Sequence, residues 1–112
     1  MTEFLPDAGD LIWTDFDPTL GQQAGRRPAL VVSPAALTLN TGFAFVCPIT
    51  SRVRPFPTSV VLPDGLPISG EILLSHLRSI HTLARSIRPV GAAVPATVAA
   101  EVRAKLAVLI AI

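Results

Sequence analysis

Two adjacent arginines, Arg26 and Arg27, stand immediately before Pro28 and an apolar segment. Each guanidinium group is planar and permanently charged, and its fork of N–H donors matches the oxygens of a phosphate group. Pro28 has a fixed φ, which helps to hold Arg27 where the apolar segment leaves a glycine-containing polar loop. The pair is therefore either two solvated loop residues or a binding site for an anion, and the rest of the chain has to distinguish these interpretations.

A second group of polar residues begins at Thr50, the last residue of another apolar segment. The hydroxyl groups of Thr50 and Ser51 can donate hydrogen bonds to phosphate oxygens, but they are weak acids and bases. Arg52 and Arg54 place two further cations in the loop that follows. These arginines are phosphate contacts under one interpretation and solvated loop residues under the other, and their spacing favours neither.

Few residues of this sequence could transfer protons or act as a sulfur nucleophile. His76 lies in the segment ILLSHLRSI, and a histidine carries protons near neutral pH better than any arginine. The same position also suits a partly buried, hydrogen-bonded histidine. Cys47 alternates with Phe45 in an apolar segment and is predicted to belong to the core. A single cysteine excludes an internal disulfide framework and any multi-cysteine metal site, so we expect no metal and no cofactor.

Length and composition indicate one cytoplasmic domain spanning residues 1–112. Half of the 112 residues are hydrophobic, which excludes a disordered chain, and the length suits a single core. No apolar segment is long enough to span a membrane. The N-terminus MTEFLPDAGD contains neither a basic region nor an apolar signal core, so we expect the chain to remain in a reducing cytoplasm.

The net charge of +1 conceals an uneven distribution of charged residues. The first 17 residues carry five acidic side chains and no basic one, whereas the remaining 95 carry nine Lys and Arg against three acids, a balance of +6. A body with this charge attracts polyanions. Chance sorting of charges on a solvated surface gives the same pattern, so the asymmetry alone does not distinguish a polyanion-binding surface from an ordinary solvated one.

Short apolar segments separated by prolines and glycines predict a chain rich in strands. These segments cover residues 10–18, 28–34, 43–50, 58–63, 70–80 and 83–90. The chain is predicted to turn at Asn40 to Gly42, and Pro48 suggests an edge or a bulge near the end of the third segment.

The tail from residue 95 to residue 110 predicts the one helix. Its apolar residues recur at helical spacing and share one face: Val98, Val102, Leu106 and Leu109. Glu101 and Lys105 are spaced for an i,i+4 ion pair, and Thr97 is a candidate N-cap. Several short strands and one closing helix predict a mainly β fold, either a small β-barrel or a strongly bent sheet.

Several blocks of the sequence resemble the MazF/PemK family of toxin ribonucleases. They lie in family order from about Pro6 to the C-terminus, and the most specific ones are GDLIWTDFDP and AGRRP. The others are CPITSR, ILLSHLRSIHTLAR and KLAVLIAI. The resemblance implies an SH3-like barrel of the MazF/CcdB type with a C-terminal helix, a homodimer, and metal-independent cleavage of single-stranded RNA. It also implies a cognate MazE-like antitoxin that inhibits by occupying the RNA groove.

The resemblance also implies roles for individual residues. Arg27 lies in the position of the family's functional arginine, and Thr50 matches its hydroxyl residue at a strand end, so these two are the expected catalytic residues. In metal-free cleavage the ribose 2′-hydroxyl attacks the phosphate, and an arginine suits the charge that develops there better than it suits the proton transfers. The expected RNA-binding residues are Gln22, Gln23, Arg26, Ser51, Arg52, Arg54, Arg78 and Phe56, the last as a stacking residue.

One position departs from the family pattern. Some members carry a glutamate just before the Q-A-G block, and this chain has Gln22 there, which cannot accept a proton. His76, at a position where the family usually has glutamine in a block that faces the RNA groove, is the candidate proton carrier in its place. The alternatives are a partly buried, hydrogen-bonded histidine and a residue that reads RNA bases.

Three functions from different classes are compatible with this sequence. They are a sequence-selective endoribonuclease toxin, a catalytically inactive relative that binds RNA or an antitoxin, and a CcdB-like poison of DNA gyrase. The gyrase poisons are recognised by a tryptophan near the C-terminus, and this chain ends in LAVLIAI without an aromatic residue. The nuclease is therefore the preferred interpretation, followed by the inactive binding module.

Overall fold

The structure, a computed structural model, describes residues 4–15 and 26–111. Within these ranges the chain forms seven strands, two α-helices and one 3-10 turn. In chain order these are β1 Asp10–Asp15, β2 Arg26–Val31, α1 Ala35–Thr41, β3 Phe43–Thr50, β4 Ser59–Val61, β5 Glu71–Leu73, the 3-10 turn Leu74–His76, β6 Arg78–His81, β7 Ile87–Ala93 and α2 Ala96–Leu109.

The strands form one antiparallel sheet in the order β4-β5-β3-β2-β1-β7, and β6 pairs with β3. A mainly β fold with a C-terminal helix is therefore confirmed. Among the described strands, β4 and β7 lie at opposite ends of the path and do not pair, so the sheet stays open instead of closing into a complete barrel.

Strand β3 occupies the centre of the sheet and changes partner along its length. It pairs with β6 from Phe43 to Val46 and with β5 at Ile49 and Thr50. Pro48 lies between these two stretches while Ala29 of β2 pairs with it on the other side. A residue without an N–H is tolerated at this change of partner because neither β5 nor β6 pairs with Pro48. The predicted irregularity at Pro48 is thus a change of partner inside a central strand.

The two faces of the sheet bury separate apolar clusters, because neighbouring residues of a strand point to opposite faces. The face covered by α2, called the α2 face below, carries Leu11, Leu30, Cys47, Ile49 and Ile72. The opposite face, called the Ala29 face, carries Ile12, Ala29, Val31, Ala44, Val46 and Ile80. Each fully buried Leu or Ile contributes roughly 1.5–3 kcal/mol. A one-residue slip would exchange the two clusters, so this burial fixes the register.

Helix α2 closes the α2 face with the stripe that the sequence predicts. Val98 and Val102 are buried, whereas Leu109 at the end of the stripe is 41% exposed. The predicted ion pair is present, with 3.1 Å between Lys105 Nζ and Glu101 Oε2. The prediction of Thr97 as N-cap is wrong: the cap position is Pro95, without a side-chain hydrogen bond.

Helix α1 replaces the turn that the sequence predicts at Asn40 to Gly42. Ala35–Thr41 is helical, and Gly42 ends it with a left-handed φ of 80° and an N–H bonded to the Thr38 carbonyl at 2.8 Å. The start of the helix is capped from a distance, since the Ala35 N–H donates to Asp7 Oδ1 at 2.8 Å. The glycine is a helix end instead of a turn centre.

The strand boundaries differ from the predicted ones in the second half of the chain. The segment 70–80 is divided into two strands by the 3-10 turn, and the last strand begins later than the predicted segment 83–90 and runs to Ala93. No helix among the described residues is both long and apolar enough to cross a membrane.

Candidate functional site

Arg26 and Arg27 point to opposite faces of the sheet. In the ladder between β1 and β2, Arg26 lies opposite Asp15 and Arg27 lies opposite Thr14. Both arginines are exposed. Arg26 therefore has a carboxylate as its cross-strand neighbour, whereas Arg27 lies on the Ala29 face beside a neutral hydroxyl residue. The two adjacent cations are held in different electrostatic surroundings.

Thr50 lies on the same face of the sheet as Arg27. Ala29 pairs with Pro48 in the β2–β3 ladder. Continuing this register by two residues, beyond the last paired position, brings Arg27 opposite Thr50. Residues directly opposite each other across antiparallel strands are near neighbours on one face. The fold thus directs the arginine and the hydroxyl residue, 23 positions apart in the sequence, to the same part of the surface.

The hydroxyl of Thr50 is oriented by the loop that follows it. Thr50 Oγ1 accepts a hydrogen bond from the Arg52 N–H at 3.1 Å. A hydroxyl accepts and donates at the same time, so this contact leaves the Thr50 proton available to an external acceptor such as a phosphate oxygen. The residue is half-buried at the strand end, which restricts its side chain.

Glycine is required beside Thr50. Gly70 has φ +140°, and a Cβ at this position would overlap the carbonyl oxygen of Thr50 and lie 3.0 Å from its carbonyl carbon. Only a residue without a side chain allows β5 to begin this close to the end of β3. The position of Thr50 therefore depends on Gly70.

Glu71 is the residue that sequence reasoning missed. It pairs with Thr50 in the β3–β5 ladder and is only 2% exposed. Its carboxylate accepts hydrogen bonds from the Ser59 hydroxyl and, at 2.7 Å, from the Arg54 N–H. The Ser59 hydroxyl and the Arg54 N–H lower the pKa of Glu71, with a smaller contribution from the Phe56 N–H, against the opposing effect of burial. The available signal was a lone acid in the apolar segment GEILL, since charged residues inside apolar strands are rarely unpaired.

Residues 51–58, called the basic loop below, carry most of the predicted anion contacts. The side chains of Ser51, Arg52, Arg54 and Phe56 are all exposed, and Phe56 is 66% exposed despite its size. The structure thus collects four predicted site residues on one loop directly after Thr50. An exposed aromatic ring next to cations can stack on nucleic acid bases while the cations contact phosphates.

His76 and Arg78 lie one element further along. His76 is exposed on the 3-10 turn, so the alternative of a partly buried histidine is wrong. Arg78 is half-buried and lies opposite Val46 in the β3–β6 ladder, which places it on the Ala29 face with Arg27 and Thr50. Val46 and Thr50 are four residues apart on β3, so Arg78 and Thr50 lie about 13 Å apart along the strand direction. The predicted residues Gln22 and Gln23 lie outside the described residues.

The described part of the chain contains neither a reactive cysteine thiolate nor a cluster of metal-ligating side chains. Burial raises the pKa of the Cys47 thiol to about 12, so this core residue is not a thiolate nucleophile. No three His, Cys, Asp or Glu side chains within residues 4–15 and 26–111 are grouped as metal ligands.

Comparison with known proteins gives concordant matches over nearly the whole chain. Residues 7–110 match the family of PemK-like, MazF-like toxins of type II toxin–antitoxin systems. The chain is similar to the endoribonuclease toxin MazF of Escherichia coli strain K12, with 42% identity over 115 residues that cover 98% of each protein. It is also similar to the crystal structure of MazF from Deinococcus radiodurans, with 46% identity, a TM-score of 0.87, and coverage of 98% of this chain and 100% of that one.

A complex among the solved structures matches equally well. The chain is 44% identical to a chain of the MazE–MazF complex from Deinococcus radiodurans, with a TM-score of 0.85 and coverage of 98% of this chain and 99% of that one. These identities and coverages show that the likeness extends over nearly the whole chain.

Proposed function

This chain belongs to the PemK-like, MazF-like toxins of type II toxin–antitoxin systems, and we propose that it is a sequence-selective endoribonuclease that cleaves single-stranded RNA in the cytoplasm without a metal ion. The observation that carries the proposal is the placement of Arg27 and Thr50 on one face of the sheet, beside a loop that exposes two arginines and a phenylalanine. The family membership and the relatives named as endoribonucleases support the same activity.

In the proposed reaction the 2′-hydroxyl of the ribose attacks the neighbouring phosphorus. The 2′-oxygen loses its proton, the bond from phosphorus to the 5′-oxygen breaks, and the 5′-oxygen takes a proton, which leaves a 2′,3′-cyclic phosphate and a 5′-hydroxyl. Arg27 donates hydrogen bonds to the phosphate oxygens as their negative charge increases, and the Thr50 hydroxyl donates one more.

The proton steps need a group other than these two. Arginine stays protonated at neutral pH and threonine is a very weak acid. Exposed His76 is the proposed proton carrier, since histidine is the side chain that most often acts as a general acid or base. The basic loop and Arg78 hold the RNA strand on either side of the reacting phosphate, and Arg26, Gln22 and Gln23 complete the proposed contacts.

We also propose a cognate MazE-like antitoxin and a homodimer. A relative of this chain crystallised as a MazE–MazF complex supports the first. Exposed apolar side chains support the second: Phe43 and Phe45 alternate on β3 with 42% and 43% of their surface accessible, and Leu83 is 82% exposed. Such residues favour burial against a second copy. A monomer in sedimentation at micromolar concentration would contradict the dimer.

The activity is tested by incubating the purified chain with a mixed RNA in excess EDTA and sequencing the new ends. We expect cleavage at a restricted set of sequences with 5′-hydroxyl and 2′,3′-cyclic phosphate ends. A requirement for added magnesium, or 5′-phosphate products, would overturn the proposed chemistry. RNA binding without cleavage would favour the inactive binding module, and inhibition of supercoiling without either would favour a gyrase poison.

A further inference from the structure

The basic loop is held to the sheet by one buried carboxylate. Glu71 Oε1 accepts the Arg54 N–H at 2.7 Å, and Oε2 accepts the Ser59 hydroxyl. A buried charge is costly unless donors surround it. Here one of those donors is the main chain of a loop that begins 20 residues earlier in the sequence. The free energy that keeps Glu71 ionised in the interior therefore also favours one conformation of the loop.

The end of the loop is fixed by Ser59. The Phe56 N–H donates to Ser59 Oγ at 3.3 Å, and the Ser59 N–H donates to the Phe56 carbonyl at 3.0 Å. From helix α2, Lys105 Nζ donates to the Ser59 carbonyl at 2.8 Å. Ser59, the hydrogen-bond donor to Glu71, is thus held by strands β4 and β5 and by helix α2. Glu71 has rigid surroundings on the side away from the loop.

Three alternate N–H groups of the basic loop are each bound by the side chain of a strand residue. The Arg52 N–H is bound by Thr50 Oγ1, the Arg54 N–H by Glu71 and the Phe56 N–H by Ser59 Oγ. The side chains of the same three loop residues are exposed. Anchoring every second N–H from below presents two guanidinium groups and an aromatic ring to solvent in a fixed order. A loop already held in one conformation loses less conformational freedom on binding than a mobile loop does, and its cations and ring suit contacts to phosphates and bases.

We propose that Glu71 is a positioning residue for RNA binding: its carboxylate holds the backbone of the basic loop so that Arg52, Arg54 and Phe56 are arranged before the RNA arrives. The inference rests on the proposed function for its RNA half. Glu71 does not touch RNA, because it is covered by the loop and both of its oxygens are occupied. An acid is tolerated beside a polyanion because two neutral donors, the Ser59 hydroxyl and the Arg54 N–H, stabilise its charge beneath the surface.

The test compares two substitutions that each remove one negative charge. Glu71→Gln keeps the size of the side chain but turns an NH₂ group toward a donor, either the Arg54 N–H or the Ser59 hydroxyl. Asp64→Asn removes a charge from the exposed turn between β4 and β5. A general electrostatic effect would strengthen RNA binding slightly in both variants, because both lose a charge that repels phosphate. Release of the loop would weaken binding in Glu71→Gln alone, so the direction of the change separates the two causes.

Two readouts are needed. Hydrogen exchange of the Arg54 and Phe56 amides, followed by NMR at fixed pH without RNA, reports the loop directly, and we expect exchange about tenfold to a hundredfold faster in Glu71→Gln. The dissociation constant for a non-cleavable 2′-deoxy-substituted RNA should rise about tenfold, while the single-turnover rate at saturating RNA changes less than about threefold. Ser59→Ala, which removes one donor but keeps Glu71, should give intermediate changes and serves if Glu71→Gln does not fold.

Unchanged amide exchange in Glu71→Gln would overturn the inference, as would an unchanged dissociation constant together with faster exchange. A lower single-turnover rate at unchanged affinity would also overturn it, because Glu71 would then act in the chemical step. Absence of RNA binding by the unsubstituted chain would instead overturn the proposed function. The amide exchange would still decide in that case whether Glu71 holds the loop.

Discussion

Glu71 lies directly opposite Thr50 in the antiparallel ladder between β3 and β5. The acid opposite the proposed catalytic hydroxyl in the sheet is therefore one whose two oxygens already accept hydrogen bonds and whose surface is covered. A general base needs an open lone pair within reach of the proton it removes. Glu71 does not meet this condition, so the replacement for the glutamate absent at Gln22 has to be sought elsewhere in the site.

The first prediction is that the two adjacent arginines are unequal. Arg27→Ala should lower the single-turnover rate roughly 100- to 1,000-fold, as expected for loss of one preorganised donor to the charge that develops in the transition state. RNA affinity should fall much less, because the contact is strongest at the barrier.

Arg26→Ala is the matched control on the neighbouring position. Arg26 points to the other face, opposite Asp15, so the chemical step should be nearly unchanged in Arg26→Ala. As a proposed RNA contact, Arg26 should on its loss weaken binding and reduce the salt dependence by about one phosphate contact. A chimeric substrate with one cleavable ribonucleotide separates binding from chemistry. Loss of the chemical step in Arg26→Ala with an active Arg27→Ala would mean that the site is wrongly assigned.

The second prediction concerns the proton carrier. If His76 exchanges the proton, His76→Ala should remove one limb from the pH profile of the single-turnover rate. Gln22→Glu, which restores the family's acid, should raise the rate and introduce an acidic limb. His81→Ala is the control, because His81 Nδ1 instead accepts the Leu83 N–H at 3.2 Å in a turn. An unchanged profile in both variants would exclude His76 as the proton carrier and would show that an acid at position 22 does not take over the role.

Much of the fold could be predicted from the sequence because its signals are local. Strand β3 has the predicted bounds, and the apolar stripe of α2 and the Glu101–Lys105 pair follow from spacing alone. Helix α1 could not be predicted in this way. It has only seven residues and no side-chain cap of its own, and its first N–H is bound by Asp7, which lies 28 positions earlier. A short helix that depends on a distant cap carries no local signature.

The site was predictable for the same reason only in part. Arg27, Thr50 and the basic loop belong to contiguous sequence blocks, so the resemblance assigns roles to them, and these roles stay a prediction. Glu71 is different, because its partners Arg54 and Ser59 lie 17 and 12 positions away. Periodicity describes one segment at a time and does not reveal which loop will cover an acidic residue.

The third prediction is that Gly70→Ala is strongly destabilising. An alanine there would adopt an unfavourable φ and collide with the Thr50 carbonyl, so the free energy of unfolding should fall by roughly 2 to 4 kcal/mol. Gly65→Ala is the control: Gly65 has φ +95° but nothing within 4 Å of a Cβ, so it should cost only the backbone strain of about 1 to 2 kcal/mol. Urea denaturation measures both. Equal losses would mean that the close approach to Thr50 contributes nothing.

The fourth prediction concerns the stability of the fold in acid. Hydrogen bonds from Ser59 and then Arg54 lower the pKa of Glu71 below its ordinary value of 4.5. The unfolded chain therefore binds the Glu71 proton at a higher pH than the folded chain does, and stability rises with pH between the two pKa values. The contribution of Glu71 is complete above about pH 5 and is lost as the pH falls through the folded pKa.

Urea denaturation between pH 3 and pH 7 tests this contribution. The unsubstituted chain should lose stability below about pH 4.5 more steeply than Glu71→Gln, which has no proton to bind at this position. Asp64→Asn should follow the unsubstituted chain, because Asp64 is an exposed acid on a turn. RNA affinity should weaken over the same acid range in the unsubstituted chain. Protonation removes the negative charge of Glu71 and weakens its hydrogen bonds with the Arg54 N–H and the Ser59 hydroxyl, which hold the basic loop. Parallel curves for the unsubstituted chain and Glu71→Gln would mean that folding does not lower the pKa of Glu71. The hydrogen bonds to its carboxylate would then contribute little to holding the basic loop.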